Sequence, residues 1–177
     1  SDYADYDVVR SVNGGNARIS GAEFSLRQTL TFIPGWGRRF QAFATLTTSD
    51  LSGPNADDFT EYSRRNITAG LSYVHSRLVA KINLTNNDWV RRGPTAATAA
   101  GALPKQYNMR QPSTKLDLSL EYRLHRRLSL YGSVRNLTAE PVWLSVVQPD
   151  PKVPSYTEPR NYQFVSAVYT LGVKGSF

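Results

Sequence analysis

The sequence predicts an all-β fold of antiparallel, up-and-down strands, and three observations support it. Apolar and polar residues alternate along much of the 177-residue chain, and a period of two places them on opposite faces of a strand. The alternating stretches come in pairs joined by short turns, as in β-hairpins. Much longer connections separate one pair from the next. About seven strands are clear on this basis, and an eighth is weaker.

Six of the strands form three hairpins in chain order. They span residues 17–33 and 38–48, residues 66–75 and 77–86, and residues 114–124 and 127–136. The fifth strand has the clearest pattern, because Leu116, Leu118 and Leu120 alternate with polar residues such as Lys115 and Glu121. A helix, with its period of 3.6 residues, would scatter these leucines around its surface. The predicted turns lie at residues 34–37 (PGWG), at Ser76, and at His125 and Arg126.

Residues 162–177 are predicted to form the closing strand. Leu171, Val173 and the final Phe177 share one face of it, whereas Thr170 lies on the other. The weaker eighth strand is residues 5–12, where the alternation is short.

The connections differ in length between the two ends of the predicted sheet. Residues 49–65, 87–113 and 137–161 are long connections rich in Pro, Gly, Asn, Asp, Ala and Tyr. Loops of this length are uncommon in compact domains unless they are functional. Long and short connections alternate strictly, so all long loops lie at one end and all short turns at the other. That asymmetry is typical of outer-membrane barrels.

The alternation alone does not decide which face points inward, since a soluble barrel would fill its interior with the apolar face. Three features favour a transmembrane barrel instead. The strands are about ten residues long, which suits a tilted crossing of the hydrocarbon layer. The polar face carries both signs of charge, and we expect Glu23, Asp117 and Glu121 to form ion pairs with neighbouring Arg and Lys. Aromatic residues occur near the short turns, as in an interfacial girdle: Phe32, Trp36, Phe40, Tyr73, Tyr122 and Phe177.

Composition argues against several other classes of protein. The net charge is +7, but the basic residues stand singly along strands or in pairs at turns, without the aromatic-interleaved stripe of a nucleic-acid site. Cysteine is absent, so no disulfide or thiolate metal site is expected. No apolar run approaches the length of about 20 residues that a transmembrane helix needs. His75 and His125 are expected to be exposed turn residues, and no catalytic pattern occurs, so we expect neither an enzyme nor a cofactor.

Three stretches of the sequence resemble the TonB-dependent outer-membrane receptors. Residues 13–23 (NGGNARISGAE) are similar to the segment by which that family leaves an extracellular loop and enters a descending strand. Residues 131–138 (YGSVRNLT) resemble the penultimate strand and its exit. The ending resembles the closing strand and its assembly signal, with Thr170, Gly172 and Phe177, although Gly175 stands where a large residue is usual.

This resemblance implies a place and a function. The family's barrel has 22 strands around a plug, so residues 1–177 are expected to be the C-terminal segment of a transmembrane β-barrel without its plug domain. The family takes up a siderophore, vitamin or carbohydrate across the outer membrane of Gram-negative bacteria. The implied partners are outer-membrane lipid and lipopolysaccharide, the remainder of the barrel and the plug, the TonB energy-coupling complex, and the barrel assembly machinery.

The long loops are the expected place for substrate binding, because loops on a rigid scaffold carry recognition. Their aromatic rings and guanidinium groups suit a siderophore, a sugar chain or a carboxylated ligand. An alternative is that the same side chains form an upper aromatic girdle or contact lipopolysaccharide phosphates. The candidates are Trp89, Arg91, Arg92, Tyr107, Arg110, Trp143, Tyr156 and Arg160.

Two alternatives to a receptor segment remain open at the level of sequence. A self-contained eight-stranded outer-membrane barrel, an adhesin or a structural protein, would need a full strand over residues 3–12 to pair with the last strand. A soluble ligand-binding β-barrel would need the apolar face inside.

Overall fold

The computed structural model describes residues 16–54, 56, 59–94, 106–148 and 156–175. Both the weak strand predicted at residues 5–12 and Phe177 lie outside them. In the described part of the chain, no helix has the length and apolar character needed to cross a membrane. The strands are β1 (Arg18–Thr29), β2 (Phe40–Ser52), β3 (Tyr62–Ser63), β4 (Arg65–His75), β5 (Leu78–Asn87), β6 (Val90–Pro94), β7 (Tyr107–Arg110), β8 (Ser113–His125), β9 (Leu128–Arg135), β10 (Val142–Gln148), β11 (Tyr156–Gln163) and β12 (Val168–Gly175).

The strands form two antiparallel sheets. The lower sheet has seven strands in the order β1-β2-β4-β5-β8-β9-β12, and the upper sheet has five in the order β3-β6-β7-β10-β11. Every lower-sheet strand pairs with its nearest neighbours in the up-and-down sense. The all-β, antiparallel, up-and-down prediction is therefore confirmed. The lower sheet is an open wall with β1 and β12 as its edges, and these edges do not pair with each other within the described residues.

The upper sheet continues five strands of the lower sheet. The last pair between β5 and β8 is Asn87 with Ser113, and the next pair, between β6 and β7, is Val90 with Arg110. Both steps are three residues along the strand, so the register is the same on either side of the break, the short unpaired gap between the lower and the upper sheet. The pairs of β3 with β6 continue those of β4 with β5 in the same way.

The prediction that residues 49–65, 87–113 and 137–161 are loops is therefore wrong in part. These ranges carry the end of β2, all of β3, β6, β7 and β10, and most of β11, and the last five strands extend the wall beyond the lower sheet. Their alternation is concealed by bulges, where an extra residue shifts the period. One bulge lies between Arg91 and Gly93, and another lies opposite Leu144 and Ser145.

The break between β9 and β10 contains two additional residues. Val134 pairs with Leu118 below it and Leu144 pairs with Arg110 above it, a step of ten residues on one strand against eight on the other. Asn136 lies in this excursion with φ of +54° and is only 6% exposed. Its backbone N–H donates to Asp117 Oδ1 at 2.8 Å. Its side chain bonds to the backbone of Glu140 in the same excursion and of Val165 between β11 and β12.

The predicted closing strand and the first hairpin turn also differ from expectation. The closing strand is interrupted, because β11 ends at Gln163 and β12 begins at Val168. The first turn occupies residues 30–39 rather than 34–37, since the Leu30 N–H donates to the Phe40 carbonyl at 3.0 Å and closes a wider loop. A short 3-10 helix, Gly37–Arg39, forms its end.

The register sorts the lower sheet into an apolar and a polar face. Directly paired residues share a face, and Leu118 is paired with both Ile82 and Val134. The apolar face is not a dry core, since Leu120 is 50% and Leu171 is 87% exposed. It consists mainly of Phe24, Leu26, Leu46, Ile67, Leu71, Tyr73, Ile82, Leu84, Leu116, Leu118, Leu120, Tyr122, Leu130, Val134, Tyr169, Leu171 and Val173.

The polar face is held together differently from our expectation. The ion pairs predicted for Glu23, Asp117 and Glu121 do not form among the described residues. The register explains this, because Glu23 is paired with Thr47, and Glu121 lies between Val79 and Tyr131. Asp117 instead caps the backbone of the break.

Candidate functional site

A cavity of about 580 Å³ lies on the polar-face side of the upper sheet. Its floor is formed by one residue from each of the five upper strands: Tyr62, Arg91, Met109, Val147 and Thr157. The register is continuous from the lower to the upper sheet, so residues an even number of positions apart along a strand lie on the same face. Thr85 and Lys115 are paired on the polar face. Arg91 follows Thr85, and Met109 precedes Lys115, by an even number of residues, so both lie on the polar-face side.

The walls of the cavity come from the break and from the connection after β2. Arg64, Asp88 and Trp89 lie in the break, and Leu51 and Ala56 approach from the other side. Asp88 Oδ1 accepts the backbone N–H of Trp89 at 2.8 Å, which fixes the entry of the chain into β6. The lining therefore combines two guanidinium groups and one carboxylate with aromatic and apolar side chains.

Arg91 is held in place by several contacts. Its guanidinium carbon lies 4.4 Å from the ring centroid of Tyr107, a cation–π contact, and Tyr107 is only 8% exposed. Arg91 Nη1 donates to the Ala56 carbonyl at 3.4 Å, and the Arg91 carbonyl accepts the Glu61 N–H at 2.6 Å. These contacts join the connection after β2 to the upper sheet and preorganise one edge of the cavity.

The structure separates the predicted binding residues into groups. Trp89 and Arg91 line the cavity, and Tyr107 supports Arg91. Arg92 is not a lining residue, since its Nε forms an exposed ion pair with Glu61 Oε1 at 2.7 Å. Trp143 lies on the same side of the sheet but packs against Tyr162, with ring centroids 4.5 Å apart.

Two other predicted residues lie on the opposite face of the upper sheet. Arg110 is paired with Val90 and Leu144 there. Arg160 sits at the β11 bulge and donates through Nη1 to Asn108 Oδ1. The side chain of Tyr156 lies outside what the structure describes. Substrate binding by any of these residues stays a prediction.

Four residues that line the cavity are not among the predicted binding residues: Tyr62, Arg64, Asp88 and Met109. Tyr62 and Arg64 fall within the predicted loop of residues 49–65, because no alternation of apolar and polar residues marks the two-residue strand β3. The Tyr62 hydroxyl donates to the Ser49 carbonyl at 2.6 Å and ties β3 to the end of β2. Among the described residues, no group of three His, Cys, Asp or Glu could hold a metal ion.

The residues predicted as an assembly signal have identifiable neighbours. Thr170 is paired with Ser133, and Gly172 with Tyr131, both on the polar face. A Cβ atom at Gly172 would come within 2.5 Å of the Tyr131 ring, so the ring lies over this glycine. Recognition by the assembly machinery stays a prediction.

The structure is an antiparallel wall with an exposed apolar face and a polar face, and five of its strands continue beyond the apolar face into the upper sheet. These features are typical of one class of protein, the transmembrane β-barrels. The comparison with protein families agrees, since the family described as TonB dependent receptor-like, beta-barrel matches residues 1–137. The chain therefore belongs to this family of outer-membrane receptors, which act in transport together with TonB and a plug domain. No curated protein and no solved structure matched the chain.

Proposed function

We propose that this chain forms part of the wall of an outer-membrane receptor that takes up a siderophore, vitamin or carbohydrate into the periplasm. The observation that carries the proposal is the apolar face of the lower sheet, which extends without interruption over seven strands. In this proposal the face contacts acyl chains in a bacterial outer membrane, and the polar face lines the lumen.

Exposure of the apolar face supports contact with lipid. Phe24, Leu26 and Tyr169 are 67%, 66% and 72% exposed, and a contiguous apolar patch of this extent is unfavourable in water. A groove of about 530 Å³, lined by residues that include Phe40 and Leu171, crosses the same face. Acyl chains are the partner that matches it.

The two edges of the lower sheet support a larger barrel. The outer edges of β1 and β12 have no strand partner in the described part of the chain, and unpaired backbone groups are strongly disfavoured inside lipid. We propose that further strands of the receptor pair with these edges and that a plug fills the lumen. Residues 1–177 would then be the C-terminal segment of the barrel.

A matched pair of cysteine variants tests which face meets lipid. The chain has no cysteine, so Ser119→Cys and Leu120→Cys each introduce a single thiol, on the polar and the apolar face respectively. In lipid vesicles we expect a charged, water-soluble maleimide to label the Ser119→Cys variant and to leave the Leu120→Cys variant unlabelled. After denaturation both should react. Faster labelling of Leu120→Cys than of Ser119→Cys in vesicles would contradict the proposal. Protein that stays folded and monomeric without lipid or detergent, with Leu120→Cys still protected, would instead support a soluble barrel.

The cavity on the polar-face side is the proposed substrate site. Guanidinium groups at Arg64 and Arg91 favour an anionic ligand, and the Trp89 ring offers a planar surface. We expect Trp89→Ala to weaken substrate binding by up to about tenfold, because an aromatic contact contributes about 0.5–1.5 kcal/mol. Uptake of ferric siderophores, cobalamin and oligosaccharides identifies the compound, and calorimetry then gives its Kd.

Trp143→Ala is the matched control for this experiment. Trp143 lies on the same side of the upper sheet but does not line the cavity. Its replacement should leave the Kd within about twofold of the unsubstituted protein, the range of a small surface effect. Equal weakening by both variants would argue that binding does not depend on this cavity.

A further inference from the structure

The short-turn end of the lower sheet carries charge of one sign. The turns at residues 30–39, 76–77 and 126–127 contain no Asp or Glu, and the nearest acidic residue along the chain is Glu121, on the polar face. None of the arginines in these turns has an ion-pair partner among the described residues. All five of them are exposed: Arg38, Arg39, Arg77, Arg126 and Arg127.

The opposite end of the wall is different. Acidic residues such as Asp50, Glu61 and Asp88 accompany the arginines there, and Arg92 forms an ion pair with Glu61. The short-turn end therefore carries a positive charge that no acidic side chain of the described residues offsets, and such a surface attracts anionic groups.

A row of aromatic rings adjoins these arginines. The Trp36 and Phe40 centroids are 5.3 Å apart, those of Phe40 and Tyr73 are 4.8 Å apart, and those of Tyr73 and His75 are 6.3 Å apart. The row connects the turn at residues 30–39 with the turn at residues 76–77, and Trp36 remains 55% exposed. Aromatic rings in such a row mark the level of lipid headgroups.

We propose that the short-turn end binds the phosphate groups of anionic phospholipids in the leaflet that it faces. This inference rests on the proposed function, because it requires the apolar face to be in lipid. The arginines lie where the apolar face ends, so headgroup phosphates meet them at the depth marked by the rings. A guanidinium group binds phosphate oxygens through two parallel N–H donors, and each Arg near an anionic surface contributes a factor of about five to binding.

Native mass spectrometry tests the proposal with the full protein and two defined lipids. Detergent-solubilised protein is mixed with equal amounts of phosphatidylglycerol and phosphatidylethanolamine, and the retained molecules of each lipid are counted. We expect a preference of about fivefold or more for phosphatidylglycerol. Combined replacement of all five arginines, Arg38, Arg39, Arg77, Arg126 and Arg127, by Gln should bring the ratio close to one. The five corresponding Lys substitutions should retain part of the preference, because they keep the charge and lose the fork geometry.

Arg18→Gln combined with Arg65→Gln is the matched control. Both residues are exposed and lie on the apolar-face side at the other end of the wall, so their replacement should leave the preference unchanged. An unchanged ratio in the five-Gln variant would overturn the proposal, as would equal loss in the control, since net charge alone would then explain it. Retention of both lipids without preference overturns only this inference, whereas failure to enter lipid vesicles of any composition contradicts the proposed function itself.

Discussion

Replacing Leu118 with arginine should lower the free energy of unfolding in lipid vesicles by about 2–4 kcal/mol, the effect of a cation at the middle of a lipid-facing barrel surface. Leu118 lies centrally in the apolar face, paired with Ile82 on one side and Val134 on the other. An arginine there has no water and no carboxylate within the sheet to solvate it. Urea unfolding, followed by the mobility difference of unheated samples on gels, measures the loss.

Ser133→Arg provides the control, because Ser133 is adjacent to Val134 and points to the polar face. It is paired with Ser119 and Thr170, and neither neighbour is charged. The free energy of unfolding should change by no more than about 0.5 kcal/mol, as for an ordinary surface substitution. If the Ser133 variant is the less stable of the two, the assignment of the faces is reversed.

Asn136→Ala should destabilise the protein by about 3–5 kcal/mol, because three hydrogen bonds of a buried side chain are lost together. Asn136 Nδ2 donates to the Glu140 carbonyl at 3.2 Å and to the Val165 carbonyl at 3.0 Å, and Oδ1 accepts the Glu140 N–H at 3.0 Å. The side chain thus joins the excursion between β9 and β10 to the segment between β11 and β12. The positive φ adds to the loss, since alanine disfavours it.

Two variants separate the backbone contribution from the hydrogen bonds. Asn136→Gly accepts the positive φ without strain but loses all three side-chain bonds, so it should be less damaging than Asn136→Ala. Ala139→Gly is the control, because Ala139 also has a positive φ of +50° and its side chain makes none of these bonds. It should be neutral or slightly stabilising. Urea unfolding measures all three, and a neutral Asn136→Ala variant would contradict the bridging role.

The lower sheet could be predicted because each of its strands shows the alternation within its own sequence. Leu116, Leu118 and Leu120 alternate with polar residues over a whole strand, and the structure places this strand at Ser113–His125, within one residue of the prediction at each end. One face carries apolar and the other polar side chains along the entire strand, so the sequence shows the period of two without interruption.

The upper sheet could not be predicted because its strands depend on pairing with neighbouring strands and not on a pattern within each segment. β6 has the sequence VRRGP, in which the bulge after Arg91 removes the alternation. β11 contains Pro159, which is compatible with a strand only at an edge or a bulge, and β11 is both an edge strand and bulged. These strands form because the ladder below extends into them, and no single-segment pattern contains that information.

The sequence could predict which kinds of residue form the candidate site, but not which individual residues line it. Aromatic and guanidinium groups at Trp89 and Arg91 suggested recognition, and both line the cavity. Arg110 has the same chemistry but lies on the other face, and the register alone decides this. Only the structure shows that Tyr62 and Met109 complete the floor.

The shared register of the two sheets limits how such a receptor can acquire a new ligand specificity. Successive side chains of a strand point to opposite faces, so the number of residues in the break decides which of them form the cavity floor. Inserting one residue there turns every floor side chain above it to the opposite face of the sheet. Inserting two residues leaves the same side chains on the floor. The excursion between β9 and β10 is a natural example of the two-residue case. Exchanging loops between relatives should therefore transfer ligand specificity only when the upper-sheet strands are exchanged with them and the number of residues in each break changes by an even number.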